Sequence, residues 1–246
     1  MNNGPRRIVV FSDIHANLQA LKAVLKDIDD LKVDREYCCG DLVGYGAHPN
    51  ECIELVRERD CPIVAGNHDH AALLKTDISY FNDVAKTAVL WTKEVLTPEN
   101  TEFLDSLPMT YQEGDFFFVH SSPKNPEEWN YILTMGDARM NFNFFKERFC
   151  FIGHSHQPFI IENEEGNLSC PDKPEIPLFD KRRYLINVGS VGQPRDRNPL
   201  ASYAFCDLNE NILQIRRVEY DLQSAQDAII SAGLPQELSE RLGHGW

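Results

Sequence analysis

The chain has 246 residues, of which 42% are apolar and 25% are charged, close to the average composition of a globular protein. These values argue against a disordered chain, a collagen-like repeat and a disulfide-rich miniprotein, and they suit one large domain or two small ones. The chain has 24 Lys and Arg residues against 38 Asp and Glu residues. The resulting net charge of −14 opposes non-specific binding to DNA or to anionic membranes.

The start of the chain does not resemble a secretory signal, because residues 1–7 are not apolar and the apolar run at 8–11 is too short. No stretch approaches the roughly 18 apolar residues of a membrane helix. The seven cysteines are odd in number and form no CxxC pair, which is typical of thiols in a reducing compartment. We therefore expect a cytoplasmic protein that does not bind membranes.

Strand and helix patterns alternate in the first third of the chain. Residues 6–11 form a β-branched run typical of a strand, and apolar residues then recur at helical spacing from Leu18 to Ile28. Residues 37–39 and 62–65 are further short strand candidates, and they flank a predicted helix at 50–59 with Asn50 as its N-cap. This alternation predicts an α/β fold.

The rest of the chain passes from helices to strands. Residues 70–107 have a helical pattern in which Thr97 is a candidate N-cap ahead of Pro98. Residues 109–112 and 116–120 flank a Glu-Gly pair and predict a hairpin. Residues 170–183 predict an irregular surface loop. Further strands are predicted at 149–153, 159–162, 184–188, 203–207 and 212–218, and helices at 225–230 and 236–242. We expect a single domain over 1–246.

Potential metal ligands follow nearly every predicted strand. In open α/β sheets, ligands bind beyond the carboxyl ends of strands, so we expect these side chains to converge although they are far apart in sequence. Carboxylate, imidazole and amide ligands without thiolate suit Mn, Fe, Zn or Co. Each residue alone has an ordinary structural explanation, such as a helix N-cap for Asp13, but together they predict a metal site. They are Asp13, His15, Asp41, Asn67, His68, His120, His154 and His156.

These residues fall in motifs that resemble the five ordered motifs of calcineurin-like metallophosphoesterases. The resemblance runs from about residue 8 to residue 207. The segments GDLVGYG (40–46) and NVGSVGQPRD (187–196) resemble a compact prokaryotic-type subgroup of that family. The five motifs are Asp13-Ile14-His15, Gly40-Asp41, Gly66-Asn67-His68-Asp69, His120 and Gly153-His154-Ser155-His156.

The resemblance implies a two-sheet β-sandwich flanked by helices, in four layers α/β/β/α, with a dinuclear metal site. It implies that Asp13, His15 and His156 bind one metal ion, that Asn67, His120 and His154 bind the other, and that Asp41 bridges them. The two divalent ions would come from Mn, Fe, Zn, Ni and Co, with Mn or Fe favoured. A hydroxide that bridges the ions would attack phosphorus in line.

The resemblance also implies roles toward the substrate. His68 contacts the phosphoryl group and protonates or stabilises the leaving oxygen, Asp69 is a candidate to orient His68, and Asn67 also contacts substrate. Phosphoprotein phosphatases carry an Asp-Arg pair where this chain has Gly44-Tyr45. The missing arginine removes a bidentate phosphate contact, which favours a small phosphodiester or phosphomonoester substrate, including nucleotides.

Several alternatives remain open at this stage. Arg195 and Arg197 either supply the missing positive charge or belong to a solvated loop. The helical segment at about 77–107 either caps the site, with Tyr80 and Phe81 against a base, or only packs on the sheet. A metal-binding scaffold and a nuclease are the competing functions, although no basic stripe favours a long nucleic acid. The sequence does not determine the oligomeric state.

Overall fold

The computed structural model describes residues 4–246, and of Tyr80 the backbone alone. Eleven strands in this range form two sheets that pack face to face. The first sheet has the order β2-β1-β10-β11-β8 and the second the order β3-β4-β5-β9-β6-β7. The strands are β1 (Arg7–Phe11), β2 (Arg35–Cys38), β3 (Thr110–Glu113), β4 (Phe116–Val119), β5 (Phe149–Ile152), β6 (Phe159–Glu164), β7 (Asn167–Ser169), β8 (Glu175–Pro177), β9 (Arg183–Asn187), β10 (Ala201–Asp207) and β11 (Ile212–Val218).

Helices cover the outer faces of both sheets. Short 3₁₀ turns at Ile78–Tyr80 and Pro126–Glu128 complete the regular structure. None of the helices within residues 4–246 is long and apolar enough to cross a membrane. The α-helices are α1 (Leu18–Leu31), α2 (Pro49–Glu58), α3 (Asn67–Ala72), α4 (Asp83–Val95), α5 (Pro98–Asp105), α6 (Met135–Asn141), α7 (Leu222–Ser231) and α8 (Gln236–His244).

Three apolar cores separate four layers, in agreement with the predicted sandwich. Phe11 and Leu21 belong to the core between the first sheet and its helices. Phe118 and Tyr184 belong to the core between the two sheets. Ala138 of α6 packs in the third core, on the outer face of the second sheet. The central strands are therefore covered on both faces, which explains why β1 and β5 are continuous apolar runs rather than alternating ones.

Parallel strand pairs set the position of the functional end of the sandwich. Strand β1 pairs in parallel with β2 in the first sheet, and β5 pairs in parallel with β4 and β9 in the second. Six of the eight predicted ligands follow the carboxyl ends of β1, β2, β4 and β5, and the other two, Asn67 and His68, follow the isolated bridge at Ile63. Because each parallel pair ends at one edge of its sheet, the loops that carry these ligands start from neighbouring positions.

Helix α4 packs against the end of the chain. Its residues Val84, Ala88 and Trp91 do not cover a face of the sheet but belong to a separate apolar cluster with residues of α7 and α8, such as Ile229 and Leu238. The helices predicted at 225–230 and 236–242 are confirmed as α7 and α8. The cluster forms a helical wall beside the edge where the ligand loops lie, since Tyr45, from the loop after β2, is also a member.

Two predicted elements differ from the structure. Residues 62–65 form only an isolated parallel bridge, between Cys38 and Ile63, and not a full strand. The loop predicted at 170–183 contains the edge strand β8, which pairs with β11. Both are short edge pairings, and the side chains of such segments produce little periodic signal.

Asn50 is not the N-cap of α2. The helix begins at Pro49 with His48 as its N-cap, and the Asn50 side chain instead links α2 to the turn between α4 and α5. Its Nδ2 donates to the oxygen of Val95 (2.8 Å), while its Oδ1 accepts from the backbone N–H of Thr97 (3.0 Å). The predicted cap at Thr97 is confirmed by its bond to the N–H of Asn100.

We predict that Asn50→Ala lowers the free energy of unfolding by about 1–3 kcal/mol, because it removes two hydrogen bonds to the backbone between α4 and α5 and leaves the buried side-chain amide of Asn100 without its acceptor. Urea unfolding followed by circular dichroism measures this change. Asn167→Ala is the matched control, since its exposed side chain has no hydrogen bond among the described residues, and we expect a change below about 0.5 kcal/mol there. Equal effects in the two variants would contradict the assigned link.

Candidate metal centre

The loops that follow β1 and β2 carry three predicted ligands and run side by side. The N–H of Asp13 donates to the oxygen of Gly40 (2.9 Å), and the N–H of His15 donates to the oxygen of Asp41 (3.0 Å). These bonds continue the parallel pairing of the strands beyond their ends. Two carboxylates and an imidazole are therefore carried by one hydrogen-bonded pair of loops.

Five predicted ligands have left-handed backbone conformations, which residues other than glycine rarely adopt. Each left-handed residue other than glycine destabilises the backbone by about 1–2 kcal/mol, and such residues concentrate at functional sites. The sharp turns let ligands that are two residues apart in sequence reach the same place. The five are Asp13 (φ 56°), His15 (φ 49°), Asp41 (φ 53°), His154 (φ 66°) and His156 (φ 58°).

Two glycines bring the backbone against the ligand carboxylates. A Cβ atom at Gly66 would overlap the carboxylate of Asp41, and one at Gly153 would overlap the carboxylate of Asp13. Any other residue at these positions would therefore push a carboxylate out of place. This requirement accounts for the glycines that precede the ligand motifs.

The first cluster joins Asp13, His15, Asp41 and His156, all buried, with ligand atoms within 4.8 Å of one another. Nε2 of His156 lies 3.1 Å from Oδ1 of Asp13, and Nε2 of His15 lies 3.6 Å from Oδ2 of Asp41. Nε2 of His15 also lies 3.0 Å from Nε2 of His156. Four donors of this kind in one buried group could hold a metal ion.

The second cluster joins Asp41, His120 and His154, which are also buried and within 4.8 Å of one another. Nε2 of His120 lies 3.3 Å from Oδ2 of Asp41 and 3.1 Å from Oδ1 of Asn67. Asn67 thus adds an amide oxygen to the group. Asp41 belongs to both clusters, which is the position that a bridging ligand requires.

Each of the four imidazoles is anchored to a backbone carbonyl oxygen through one ring nitrogen. A ring N–H that donates to a carbonyl leaves the other nitrogen with its lone pair free, the arrangement usual for metal-binding histidines. The facing Nε2 atoms of His15 and His156 therefore suit a cation between them. The anchors are Val43 for Nδ1 of His15 (3.0 Å), Cys39 for Nδ1 of His120 (2.7 Å), Trp129 for Nε2 of His154 (2.8 Å) and Gln193 for Nδ1 of His156 (2.5 Å).

The electrostatics of the clusters also suit metal ligation. Burial favours the neutral form of Asp41, but His120 and His68 outweigh burial and lower the pKa of its carboxyl. Burial opposes a charge on His120, but Asp41 raises its pKa to about 9, so this imidazole is protonated at neutral pH in the absence of a cation and a metal ion would have to displace that proton. Burial lowers the pKa of His154 to about 4 and that of His156 to about 3. At neutral pH, Asp41 is ionised and these last two imidazoles are neutral, as metal binding requires.

His68 follows Asn67 in the first turn of α3 and lies beside the clusters. Its backbone N–H donates to Oδ1 of Asp41 (2.8 Å), and its ring is in edge contact with that of His15, with centroids 4.9 Å apart. Nδ1 of His68 is buried and has no hydrogen-bond partner within residues 4–246. The ring also lines the cleft above the clusters, so His68 is placed to meet a ligand.

Asp69 occupies a different position from the one expected of a residue that orients His68. It forms no hydrogen bond to His68 in the described part of the chain. Its buried carboxylate instead accepts backbone N–H bonds from four residues: Asp41 (2.9 Å), Leu42 (2.9 Å), Val43 (3.3 Å) and Gly66 (2.9 Å). Asp69 therefore holds the loop that carries the shared carboxylate.

A cleft of about 380 Å³ opens beside the second cluster, a size that suits a small molecule. Asn67, His68 and His154 form its floor, so the predicted ligands and the predicted substrate contacts face one space. Arg195 also lines it, and its backbone N–H donates to the oxygen of His156 (3.2 Å). The remaining lining residues are Tyr45, Thr76, Phe81, Asn82, Ala85, Trp129, Tyr131 and Arg241.

Arg195 and Arg197, the two candidates for the missing positive charge, lie in different places. Arg195 reaches the cleft, where its Nη2 donates to Oε1 of Gln193 (2.9 Å) and to the hydroxyl of Tyr45 (3.3 Å). Arg197 is exposed and does not line the cleft; its backbone N–H donates to the oxygen of Gly245 (2.8 Å). The backbone of Arg197 thus holds the last residues of the chain in place through this hydrogen bond.

The segment at 77–107 contacts the cleft only through its first part. Phe81 lines the cleft with its ring centroid 5.2 Å from that of His68, while Ala88 and Trp91 pack in the helical wall. The start of the segment therefore borders the cleft, whereas Ala88 and Trp91 pack against α7 and α8 rather than on the sheet. The side chain of Tyr80, considered as a stacking partner for a base, lies outside the described part of the structure.

Several cleft residues were missed by the sequence analysis. Trp129 anchors His154, Tyr131 stacks on the same imidazole with ring centroids 4.0 Å apart, and Tyr45 lies 4.4 Å from the ring of His68. A sequence signal for Tyr45 as a cleft residue was present, since it lies between two glycines in the GDLVGYG segment. No sequence signal marked Arg241, because it lies in an ordinary amphipathic helix near the end of the chain.

Comparisons with known proteins agree with this architecture. The chain is 46% identical over 240 residues to an uncharacterized protein of Methanocaldococcus jannaschii, with 96% of each chain covered. It is similar to the crystal structure of a metallophosphoesterase from Sphaerobacter thermophilus, with 40% identity, a TM-score of 0.86, and 99% and 100% of the two chains covered. A hypothetical protein from Pyrococcus horikoshii shares the fold at 23% identity, with a TM-score of 0.81 and 98% of each chain covered.

The family assignment covers most of the molecule. Residues 7–211 match the calcineurin-like phosphoesterase superfamily domain, a range that includes every residue of the two clusters. The buried Asp and His groups suit the divalent metals that proteins of this family bind. With its sandwich fold, its two ligand clusters and this match, the chain belongs to the calcineurin-like phosphoesterase superfamily.

Proposed function

We propose that this protein is a phosphoesterase that depends on two divalent metal ions and hydrolyses a small phosphodiester or phosphomonoester, such as a nucleotide. The main observation is that two buried donor clusters share Asp41 and that a cleft opens beside the second cluster, lined by its His154 together with Asn67 and His68. All four imidazoles have one nitrogen anchored to a carbonyl and the other free for a metal. A structural metal site would not need a cleft of this size beside it.

The donor sets define which residues would hold the ions. Asp13, His15 and His156 would hold one, Asn67, His120 and His154 the other, and Asp41 both. Bound there, two divalent ions supply Lewis acidity and lower the pKa of a coordinated water. Imidazole, carboxylate and amide donors without thiolate suit Mn, Fe, Zn, Ni or Co, and the family resemblance favours Mn or Fe among them.

The chain's own side chains would bind and orient the phosphoryl group. His68 and Asn67 form the floor of the cleft, and Arg195 stands beside His156 with its guanidinium held by Gln193. His68 would donate a hydrogen bond or a proton to the leaving oxygen. Asp69 acts indirectly as a positioning residue, because its carboxylate holds the loop of Asp41.

The size and charge of the cleft support a small substrate. Its volume of about 380 Å³ suits a nucleotide-sized molecule, and a net charge of −14 opposes a long nucleic acid. A nuclease is therefore the weaker alternative, as is a scaffold, because a scaffold does not need a complete donor set.

All seven cysteines are free, which supports the proposed cytoplasmic location.

The first prediction concerns hydrolysis itself. The purified protein, stripped of metal and reloaded separately with Mn, Fe, Zn, Ni and Mg, should hydrolyse bis-p-nitrophenyl phosphate or p-nitrophenyl phosphate with the transition metals, because they match the donor set. Release of p-nitrophenol measures the rate. No hydrolysis of these esters or of a nucleotide panel by protein that holds two ions per chain would favour the scaffold.

The second prediction concerns metal stoichiometry. Asp41→Ala should lose both ions, because it removes a donor from both clusters, whereas Asn67→Ala should retain about one of two ions per chain. Elemental analysis after dialysis measures the difference. Asp172→Ala removes an exposed carboxylate and should keep two ions. Similar metal content in the Asp41 and Asn67 variants would contradict the bridging role.

The third prediction separates catalysis from metal binding. His68→Asn should lower kcat by about 10²–10⁴-fold, the usual contribution of a proton donor, while the metal content stays at the wild-type value. Steady-state kinetics and elemental analysis on the same preparation test both parts. Loss of the ions, or wild-type activity, would show that His68 does not have the assigned role.

A further inference from the structure

A second cationic group lines the cleft farther from the clusters than Arg195. Arg241 comes from α8 and lies outside residues 7–211, which match the family domain. Its guanidinium carbon is 5.9 Å from the centre of the Tyr45 ring, and that of Arg195 is 5.7 Å from the same point. The two guanidinium groups are therefore less than about 12 Å apart and border one space.

Arg241 is fixed in place rather than mobile on the surface. Its Nε donates to the oxygen of Trp246 (2.7 Å), and the N–H of Gly245 donates to the oxygen of Arg241 (3.0 Å). The oxygen of Gly245 in turn accepts from the N–H of Arg197. The end of the chain thus folds back and holds α8 against the loop that carries Arg195.

Neither arginine is paired with a side-chain carboxylate. No Asp or Glu among residues 4–246 forms an ion pair with Arg195 or Arg241, whereas Arg182, Arg216 and Arg217 all pair with such residues. The bond from Arg241 to Trp246 uses Nε, and neither Nη atom of Arg241 donates a hydrogen bond within the described residues. In an acidic protein, two guanidinium groups without an Asp or Glu partner that line one cleft are a site for anionic groups of a ligand.

Tyr45 connects this cationic region to the proposed reaction site. Its ring lies 4.7 Å from that of His15 and 4.4 Å from that of His68, and its hydroxyl accepts from Arg195. A molecule whose phosphoryl group lay at His68 could therefore extend past Tyr45 to the guanidinium of Arg241, which would meet a second anionic group there.

We propose that the substrate carries a second anionic group besides the scissile phosphoryl group, and that Arg241 binds it. This inference rests on the proposed function and narrows the substrate class to phosphoesters with a second phosphate or a carboxylate. Arg241 is then a residue that determines specificity. Phe81, Trp129 and Tyr131, which line the same cleft, suit the planar part of such a molecule.

The test compares matched esters on the metal-loaded full chain. Adenosine 3′,5′-bisphosphate is compared with adenosine 3′-phosphate and adenosine 5′-phosphate, and 4-carboxyphenyl phosphate with phenyl phosphate. The first comparison tests a second phosphate, and the second tests a carboxylate. A charge-assisted bond should raise kcat/KM for at least one doubly anionic ester by about tenfold or more over its singly anionic partners, mainly through KM.

Variants of Arg241 assign the effect to that side chain. Arg241→Gln should reduce the preference to about one, and Arg241→Lys, which keeps the charge, should retain part of it. Arg139→Gln is the control, because Arg139 is exposed on α6 and does not line the cleft, and it should keep the full preference. Thermal unfolding of each variant shows that the fold persists.

Isothermal titration with the same pairs separates this inference from the proposed hydrolysis. If no ester is cleaved but the doubly anionic one binds more tightly, and Arg241→Gln removes the difference, the phosphoesterase proposal fails and the anion site stands. Hydrolysis with no preference for either doubly anionic ester, or with a preference that Arg241→Gln leaves intact, would overturn the anion site alone.

Discussion

Asp13 and Asp41 place two carboxylates in the interior of the protein, with 0% and 1% of their surfaces exposed. A buried negative charge is strongly destabilising unless it is paired and hydrogen-bonded. Here the partners are imidazoles of His15, His120 and His156, together with backbone N–H groups such as that of His154, which donates to Asp13. Folding therefore requires that loops from both sheets meet at these two groups, since each alone would leave a buried charge unpaired.

The meeting of the loops is maintained by backbone contacts rather than by the ligands alone. The left-handed residues of the ligand loops are strained, and strain of this kind persists only where the surroundings determine the conformation. Asp69 fixes much of this conformation, because its carboxylate accepts four hydrogen bonds, three from backbone N–H groups in the loop of Asp41 and one from that of Gly66. The carbonyl anchors of the imidazoles extend the same arrangement, so the donor atoms are oriented before any ligand binds.

The cleft combines parts of two origins. Its floor and the part of its wall from α4 come from within the family domain at 7–211, whereas α8, which packs with α4 in the helical cluster, lies beyond that range. Tyr45 belongs to both parts, since it contacts His68 and also packs with α8. Arg241 thus reaches the cleft from a part of the chain outside the family domain, while the residues of the two clusters all lie within it.

Much of the fold could be predicted because it depends on local patterns. The apolar spacing of α1, the hairpin of β3 and β4, and the Thr97 cap depend on residues within one or two turns of each other, and the structure confirms all three. The strand-end positions of the candidate ligands were also visible, since side chains that follow parallel strands must share an edge. Asn50 misled the prediction, because its partners lie 45 to 50 residues away.

The sequence by itself determined the family, the fold class and which Asp and His side chains converge in the two clusters, because the motifs contain these residue types at fixed places after predictable strands. Only the tertiary structure decided that Asp69 holds the loop of Asp41, that Trp129 anchors His154, and that Arg241 faces the cleft. Each of these contacts joins segments that are distant in the chain, and their geometry depends on how the loops, the helical wall and the end of the chain pack. No local pattern records that packing, since Arg241 has the same sequence environment as an arginine on any exposed helix.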